Sequence, residues 1–521
     1  MLLVKAETTQ NLGYDQRGWE AQVVDHGLKV MMVTSEVVPF AKAGGLADMV
    51  GALAQALTGL GHDVRIVLPR YYSVDIGCLR RIGSPLGVPV EDSEEWCAVY
   101  EGRIPGTEVP VYFLDHEELF GRDGIYGTRI EPSFQDNLRR FALLCRGALQ
   151  LAFAIDWRPD VVHAHDWPGA LAPVYLNTVE RDGPFAATGS VLTIHNLGYQ
   201  GIFPKDEYPT TGLAWDLFHG AGFEFFDDVN LLQAGIRNAD VLTTVSPTYA
   251  EEIQTPAYGH RLDDLLRYRS DDLFGVLNGM DYEEWNPETD GLIAATYSSR
   301  GYKGKATNKA ELQREFGLDV DPEVPVYGMV SRMVAQKGFG QLCGPAHGSL
   351  ASMCAQLDLQ FAIIGTGEAW CEEELAALAQ RYPNLGVRIE FNDRLAHLVE
   401  AGSDFFLIPS LYEPCGLTQM YALRYGSLPI VRQTGGLADT VENYDEETGE
   451  GTGFVFKEID PSAIYNTVGW SLWAWHNRPN HITAMRRRAM KVRFLWEESA
   501  LRYVDLYRSA MERRVGVLPK T

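Results

Sequence analysis

Short apolar runs separated by helix-length amphipathic stretches set the plan of this chain. In the first half the runs fall at 30–34, 64–68, 109–114, 161–164, 191–194 and 241–245. In the second half they fall at 326–330, 361–364, 387–390, 405–408 and 428–431. Each is nearly continuous in Val, Ile, Leu, Phe or Met, as a parallel strand covered by helices on both faces requires. Their alternation with helical stretches predicts an α/β chain of two doubly wound sheets, whose ligands sit beyond the carboxyl ends of the strands. The expected organisation is a tail at 1–26, a first domain at 27–283 and a second at 284–495. Residues 496–521 supply a final amphipathic helix suited to packing back on the first domain. The turn-rich stretch from Gly279 to Pro287 begins the connection between the two.

One phrase occurs twice. Ala43-Gly44-Gly45-Leu46-Ala47-Asp48-Met49-Val50 returns as Thr434-Gly435-Gly436-Leu437-Ala438-Asp439-Thr440-Val441, with six of eight positions identical. Each copy follows an apolar run and leads into helical sequence. A Gly-Gly turn there exposes backbone N–H groups at a helix N-terminus, where anions bind. With Lys42 beside one copy and Arg432 beside the other, the repeat predicts two similar domains facing one phosphate-bearing ligand. The alternative is two tight turns that need only glycine's φ freedom.

Composition narrows the class. A chain of 521 residues exceeds one compact core, and 46% hydrophobic residues is ordinary for a globular protein. The formal net charge of −25 excludes nucleic acid as the expected partner. It also requires any phosphate site to be built from a few local cations. Seven cysteines without metal-ligand spacing read as free thiols in a reducing compartment. No apolar run reaches the ~18 residues of a membrane span, and the polar first 26 residues resemble neither a secretory nor a transit segment. A cytoplasmic protein without membrane association is expected.

Unusual polar residues cluster where strands end. His165-Asp166-Trp167 follows one run and His195-Asn196-Leu197-Gly198-Tyr199-Gln200-Gly201 the next. In the second half come Ser331-Arg332 with Gln336-Lys337-Gly338, then Gly365-Thr366-Gly367, then Ser410 through Thr418. Lys42, Arg332 and Lys337 suit a diphosphate, Arg by bidentate and Lys by point-charge contact. Glu413 and His165 suit sugar hydroxyls. Each has a plain alternative: a structural histidine, a solvated basic face, or a carboxylate favoured at a helix start.

Taken in order, Lys42-Ala43-Gly44-Gly45-Leu46, His163-Ala164-His165-Asp166-Trp167, His195-Asn196-Leu197, Ser331-Arg332 with Lys337, and Glu413-Pro414-Cys415-Gly416-Leu417-Thr418-Gln419 resemble the bacterial glycogen synthases and plant starch synthases. The resemblance runs from about Lys29 to Tyr507. It implies a GT-B fold of two Rossmann-like domains and transfer of glucose from ADP-glucose to the non-reducing end of an α-1,4-glucan, with retention and without metal or cofactor. It implies that Lys42, the Gly44–Gly45 backbone, Arg332 and Lys337 bind the ADP diphosphate and that His165 contacts the glucose. Glu413 then holds sugar hydroxyls, Cys415, Gly416, Leu417 and Thr418 open the helix under the phosphates, and Asp48 lies near the donor or acceptor glucose.

Departures from the family pattern accompany the match. Pro168 replaces the usual His after His-Asp-Trp, Leu411 and Tyr412 precede the Glu-Pro-Cys-Gly motif, and Tyr421 stands at the second acidic position of the general signature. Phe391 stands where a Tyr beside the adenine is usual, keeping the stacking face without the hydroxyl. Cys415 at a predicted helix start reads either as a redox-sensitive thiolate or as a small buried side chain. The rival functions are a retaining GT-B enzyme using UDP-glucose and a non-catalytic glucan-binding homologue.

Overall fold

The protein is described by a computed structural model covering residues 27–128, 130–344 and 348–517; the expected tail at 1–26 lies outside the described residues. In chain order the first half forms β1 (Lys29–Val33), β2 (Asp63–Pro69), β3 (Arg80–Val90), β4 (Ser93–Arg103), β5 (Pro110–Asp115), β6 (Val161–His165) and β7 (Gly189–Ile194). A small antiparallel trio follows, β8 (Ile202–Pro204), β9 (Glu224–Phe225) and β10 (Asp228–Asn230), then β11 (Val241–Thr244) and β12 (Leu273–Gly275). The second half forms β13 (Val326–Val330), β14 (Gln360–Gly365), β15 (Leu385–Ile389), β16 (Phe405–Ile408), β17 (Leu428–Arg432) and β18 (Phe454–Phe456).

The large sheet has nine strands in the order β12-β11-β7-β6-β1-β2-β5-β4-β3. Seven are parallel, and β3 and β4 add an antiparallel hairpin at one edge. The second sheet is wholly parallel in the order β15-β14-β13-β16-β17-β18. Counted from its own first strand that is 3-2-1-4-5-6, and the parallel part of the large sheet repeats the plan. In each sheet the chain reverses direction beside the first strand, between β1 and β6 and between β13 and β16. A crevice opens at such a point because the two outgoing connections leave to opposite faces.

The strands are apolar throughout because both faces are covered. On β1, Met31 and Val33 pack into one core with Leu143, Leu144 and Leu149, while Val30 and Met32 pack into the other with Leu53, Val64 and Tyr503. This is strand alternation with both faces dry. The β3–β4 hairpin escapes the apolar pattern because it is an edge element whose charged side chains, Arg80, Arg81, Glu94 and Arg103 among them, face solvent.

The final helix (Trp496–Val517) leaves the second half and packs on the first. Tyr503, Val504, Leu506, Tyr507 and Ala510 are buried there against β6, β7, β11 and the first helix (Gly45–Gly59). At about 1.5–3 kcal/mol per large apolar side chain, this contact anchors the chain end firmly. The connection between sheets is held by Trp285, whose ring stacks between His397 and Tyr421, with centroids 3.9 Å away on each side. Tyr421, at the position where the general signature has a second acid, is therefore a packing residue.

Candidate active site

Both sheets point their reversal crevices at the same cleft. In the second sheet a cavity of about 180 Å³ is lined by Met329 to Arg332 at the end of β13, Leu407 to Ser410 at the end of β16, and Lys337 and Thr418. Arg332 and Lys337 are thus brought together as the sequence predicts. Lys337 Nζ lies 2.6 Å from Glu413 Oε2, which also accepts from Ser410 Oγ at 2.9 Å. Glu413 is buried, so a cation and a hydroxyl converge on one carboxylate beside the prospective ligand pocket.

The segment from Cys415 to Thr418 does open a helix (Thr418–Tyr425). Gly416 adopts φ +71°, and a Cβ there would collide with Gln419 Oε1. Only glycine turns the chain without strain at this point. Cys415 sits outside the first helical turn, and burial pushes its thiol up to about 12. That removes the thiolate reading and leaves the packed side chain.

In the first sheet, Lys42 and Gly44–Gly45 follow β1 and His165 ends β6, so they flank the same crevice. Lys42 Nζ pairs with Asp48 Oδ1 at 2.8 Å, and burial raises the Asp48 carboxyl above its ordinary range. Gly44 N–H donates to Glu36 Oε2 at 2.9 Å, as does Ala43 N–H, while Tyr126 donates to Oε1 of the same carboxylate. Gly45 begins the first helix, and of its first-turn N–H groups Ala47 reaches back to Gly44 O at 3.4 Å. A Cβ on Gly45 would lie 3.9 Å from Leu417 Cδ1, so the two halves of the predicted site meet here.

In the second copy of the repeat the backbone N–H groups and Arg432 are taken up by partners within the protein. Gly436 N–H donates to Glu413 O at 3.0 Å, and Gly435 N–H is drawn to the Glu252 carboxylate. Arg432 donates to Lys457 O, Leu411 O and Tyr258 OH. Asp439 accepts from Thr248 N (3.0 Å) and Oγ1 (2.6 Å), and Thr434 Oγ1 donates to Glu252 Oε1 at 2.8 Å. Because residues 246–258 belong to the first half, this copy is a contact between the domains. The shared phrase does not make a shared turn: Gly44 is extended at φ −155° just before its helix and Gly435 takes φ +42° as the first residue of its own, though each presents an N–H to a glutamate carboxylate.

His165 is fully buried, with Nδ1 3.1 Å from His195 Nε2 and no partner for Nε2. Burial, with neighbouring His163 and His195, holds its pKa well below the ordinary histidine range. Asp166 takes φ +52° so that its carboxylate can accept His195 N–H at 2.7 Å; burial raises it to about 7. Such a backbone, costing about 1–3 kcal/mol, persists where the surroundings over-determine it. Phe391 is 84% exposed and lines neither described cavity. Sequence reasoning missed Glu36, Glu252 and the Tyr412–Asn196 contact across the cleft (3.4 Å). The only signal for Glu36 was an acid shortly after a strand end.

A larger cavity, about 540 Å³, lies beside this centre on the first domain. Trp167, Tyr199, Phe203 and Phe225 line it together with polar Gln200, His260 and Arg261. Among the described residues no group of three or more His, Cys, Asp or Glu is arranged to hold a metal ion, and no helix is long and apolar enough to cross a membrane.

Two doubly wound domains whose reversal crevices face each other, with cations on one side and buried imidazoles on the other, define a GT-B glycosyltransferase. Residues 29–268 match the family described as starch synthase catalytic domain, and residues 311–482 match glycosyl transferases group 1. The glycogen synthase of Treponema denticola is 52% identical, with 94% of this chain and 100% of that protein aligned. Glycogen synthase 1 of Geobacter metallireducens is 47% identical over 94% of this chain and 97% of its own length. Among solved structures, the catalytic domain of starch synthase IV from Arabidopsis thaliana, bound to ADP and acarbose, superposes with a TM-score of 0.83. It is 30% identical, with 93% of this chain and 100% of that chain covered. The chain belongs to the glycogen and starch synthase family.

Proposed function

We propose that this protein transfers glucose from ADP-glucose to the non-reducing 4-hydroxyl of an α-1,4-glucan with retention of configuration, releasing ADP. The observation that carries the reading is the pairing of Arg332 and Lys337 at the β13/β16 crevice, opposite His165 and the Gly44–Gly45 turn. As the bond from C1 to the phosphate oxygen breaks, negative charge grows on the β-phosphate. Arg332 and Lys337 are cations on the pocket wall where that charge develops, and opposite charge placed there stabilises the transition state. Lys42 and the N-terminus of the first helix add to the same potential.

To receive the donor, Lys337 exchanges its Glu413 partner for phosphate oxygen. Glu413 then accepts hydrogen bonds from the glucose hydroxyls, and the free Nε2 of His165 takes another hydroxyl. The acceptor O4 bonds to C1 on the face the phosphate leaves, and its proton passes to a phosphate oxygen, so no carboxylate base is required, unlike the paired acids of most glycosidases. Asp48 and the 415–418 turn complete the donor pocket. The aromatic-lined cavity at Trp167 and Tyr199 suits the apolar faces and edge hydroxyls of a glucan chain. Phe391 stacks on the adenine in this reading.

The test is nucleoside diphosphate release with glycogen as acceptor, comparing ADP-glucose with UDP-glucose in metal-free buffer. Glycogen-dependent ADP release that collapses in Lys42→Ala is the expected result. Preference for UDP-glucose overturns the donor assignment, and glucan binding without turnover overturns catalysis.

A further inference from the structure

Behind His165 lies a row of polar side chains in an otherwise apolar layer. On a strand, residues two apart share a face, so His163 and His165 project to the same side of β6. Their rings lie 4.1 Å apart. His163 Nε2 is 2.6 Å from Thr193 Oγ1 on β7, which is 2.6 Å from Thr243 Oγ1 on β11. His163 Nδ1 is 2.9 Å from the Tyr507 hydroxyl on the final helix. All four side chains are fully buried. Tyr503 closes the layer, its ring 5.3 Å from that of His163.

An apolar residue at 163 would fill this space without needing two hydroxyl partners from two other elements. Hydrogen-bonded at both nitrogens, His163 has its ring plane fixed, and it forms one wall of the slot that holds the His165 ring. The other constraint on His165 is its contact with His195, itself tied by its backbone N–H to Asp166. We infer that Tyr507, through His163, positions the His165 imidazole, so that the final helix is the back wall of the active site. Tyr507 and His163 are positioning residues that touch no substrate. The inference rests on the proposed role of His165.

Tyr507→Phe removes the hydroxyl and keeps the ring; Thr193→Val removes the partner of the other nitrogen. Measured well below each variant's unfolding temperature, kcat should fall about ten-fold in either, as a small misplacement of a reacting group predicts. The KM for ADP-glucose should stay within about two-fold, an effect on the transition state rather than on ground-state binding. The imidazole 15N resonances of His163 and of His165 should both shift. Unchanged kcat in both variants, with the His163 resonances reporting the lost bond, overturns the inference. Full turnover in His165→Ala instead overturns the proposed role of His165, and the two failures are read separately.

Discussion

Lys337 and Glu413 meet at the reversal point of the second sheet, with Nζ 2.6 Å from Oε2, and each occupies the other's position toward a ligand. Lys337→Ala removes a cation and leaves a buried carboxylate supported by Ser410 alone. Turnover should fall about 10²–10³-fold, roughly 3–4 kcal/mol of transition-state stabilisation. Glu413→Gln should cost less and should couple to Lys337→Ala by about 1 kcal/mol in a double-mutant cycle. The readout is kcat/KM for ADP release from the four proteins; additive losses would show that the pair does not act as a unit.

Cys415 should be inert in the native state. Its thiol, pushed up to about 12 by burial, carries almost no thiolate at pH 8. Cys78 is the exposed cysteine. Mass spectrometry after brief iodoacetamide treatment should find Cys78 modified and Cys415 untouched. Alkylation of Cys415 at a comparable rate would mean that the 415–418 turn opens readily.

The fold was legible because both sheets are doubly covered. Eleven apolar runs became parallel strands, and what escaped notice was the antiparallel hairpin β3–β4 and the short strands β8–β10, β12 and β18. The charged hairpin β3–β4 hides because an edge strand needs little apolar surface. For the site, strand-end position led to His165, Arg332, Lys337 and Glu413, which the crevices bring to one cleft. The repeat announced two similar domains but not its partners, since a sequence states that a Gly-Gly turn exists and not which acceptor its N–H groups find. At Gly435 that acceptor is Glu252, far away along the chain and brought near only by the domain contact.

Asp439 caps, from the other domain, the helix Pro247–Glu252 by accepting from Thr248 N and Oγ1. Asp439→Ala should destabilise the domain contact by about 0.5–2 kcal/mol, the range for loss of a capping acceptor. Because the cap bridges domains, the variant should also sample a wider cleft, read as a larger radius of gyration by small-angle scattering without ligand. A lower melting temperature with unchanged scattering would make Asp439 a local cap only.

Stability toward acid should depend on the imidazoles behind the crevice. Burial holds His163 and His195 down at about 3, against 6.5 when exposed, and lowers His165 in the same sense. Above pH 6.5 these groups are neutral in both folded and unfolded chains and add no pH dependence. Below it the unfolded chain takes up protons that the folded chain refuses, so stability falls as pH falls, by about 1.4 kcal/mol per pH unit for each histidine. The loss continues until the folded-state value near 3 is reached. His163→Gln keeps a hydrogen-bonding side chain and removes one such site. Urea unfolding of the first domain at pH 7.5, 6 and 5 should show a slope shallower by about 1.4 kcal/mol per unit in the variant. Identical slopes would mean that His163 binds a proton in the folded protein, through a water path to the cleft that its packing against Tyr507 and Thr193 does not suggest.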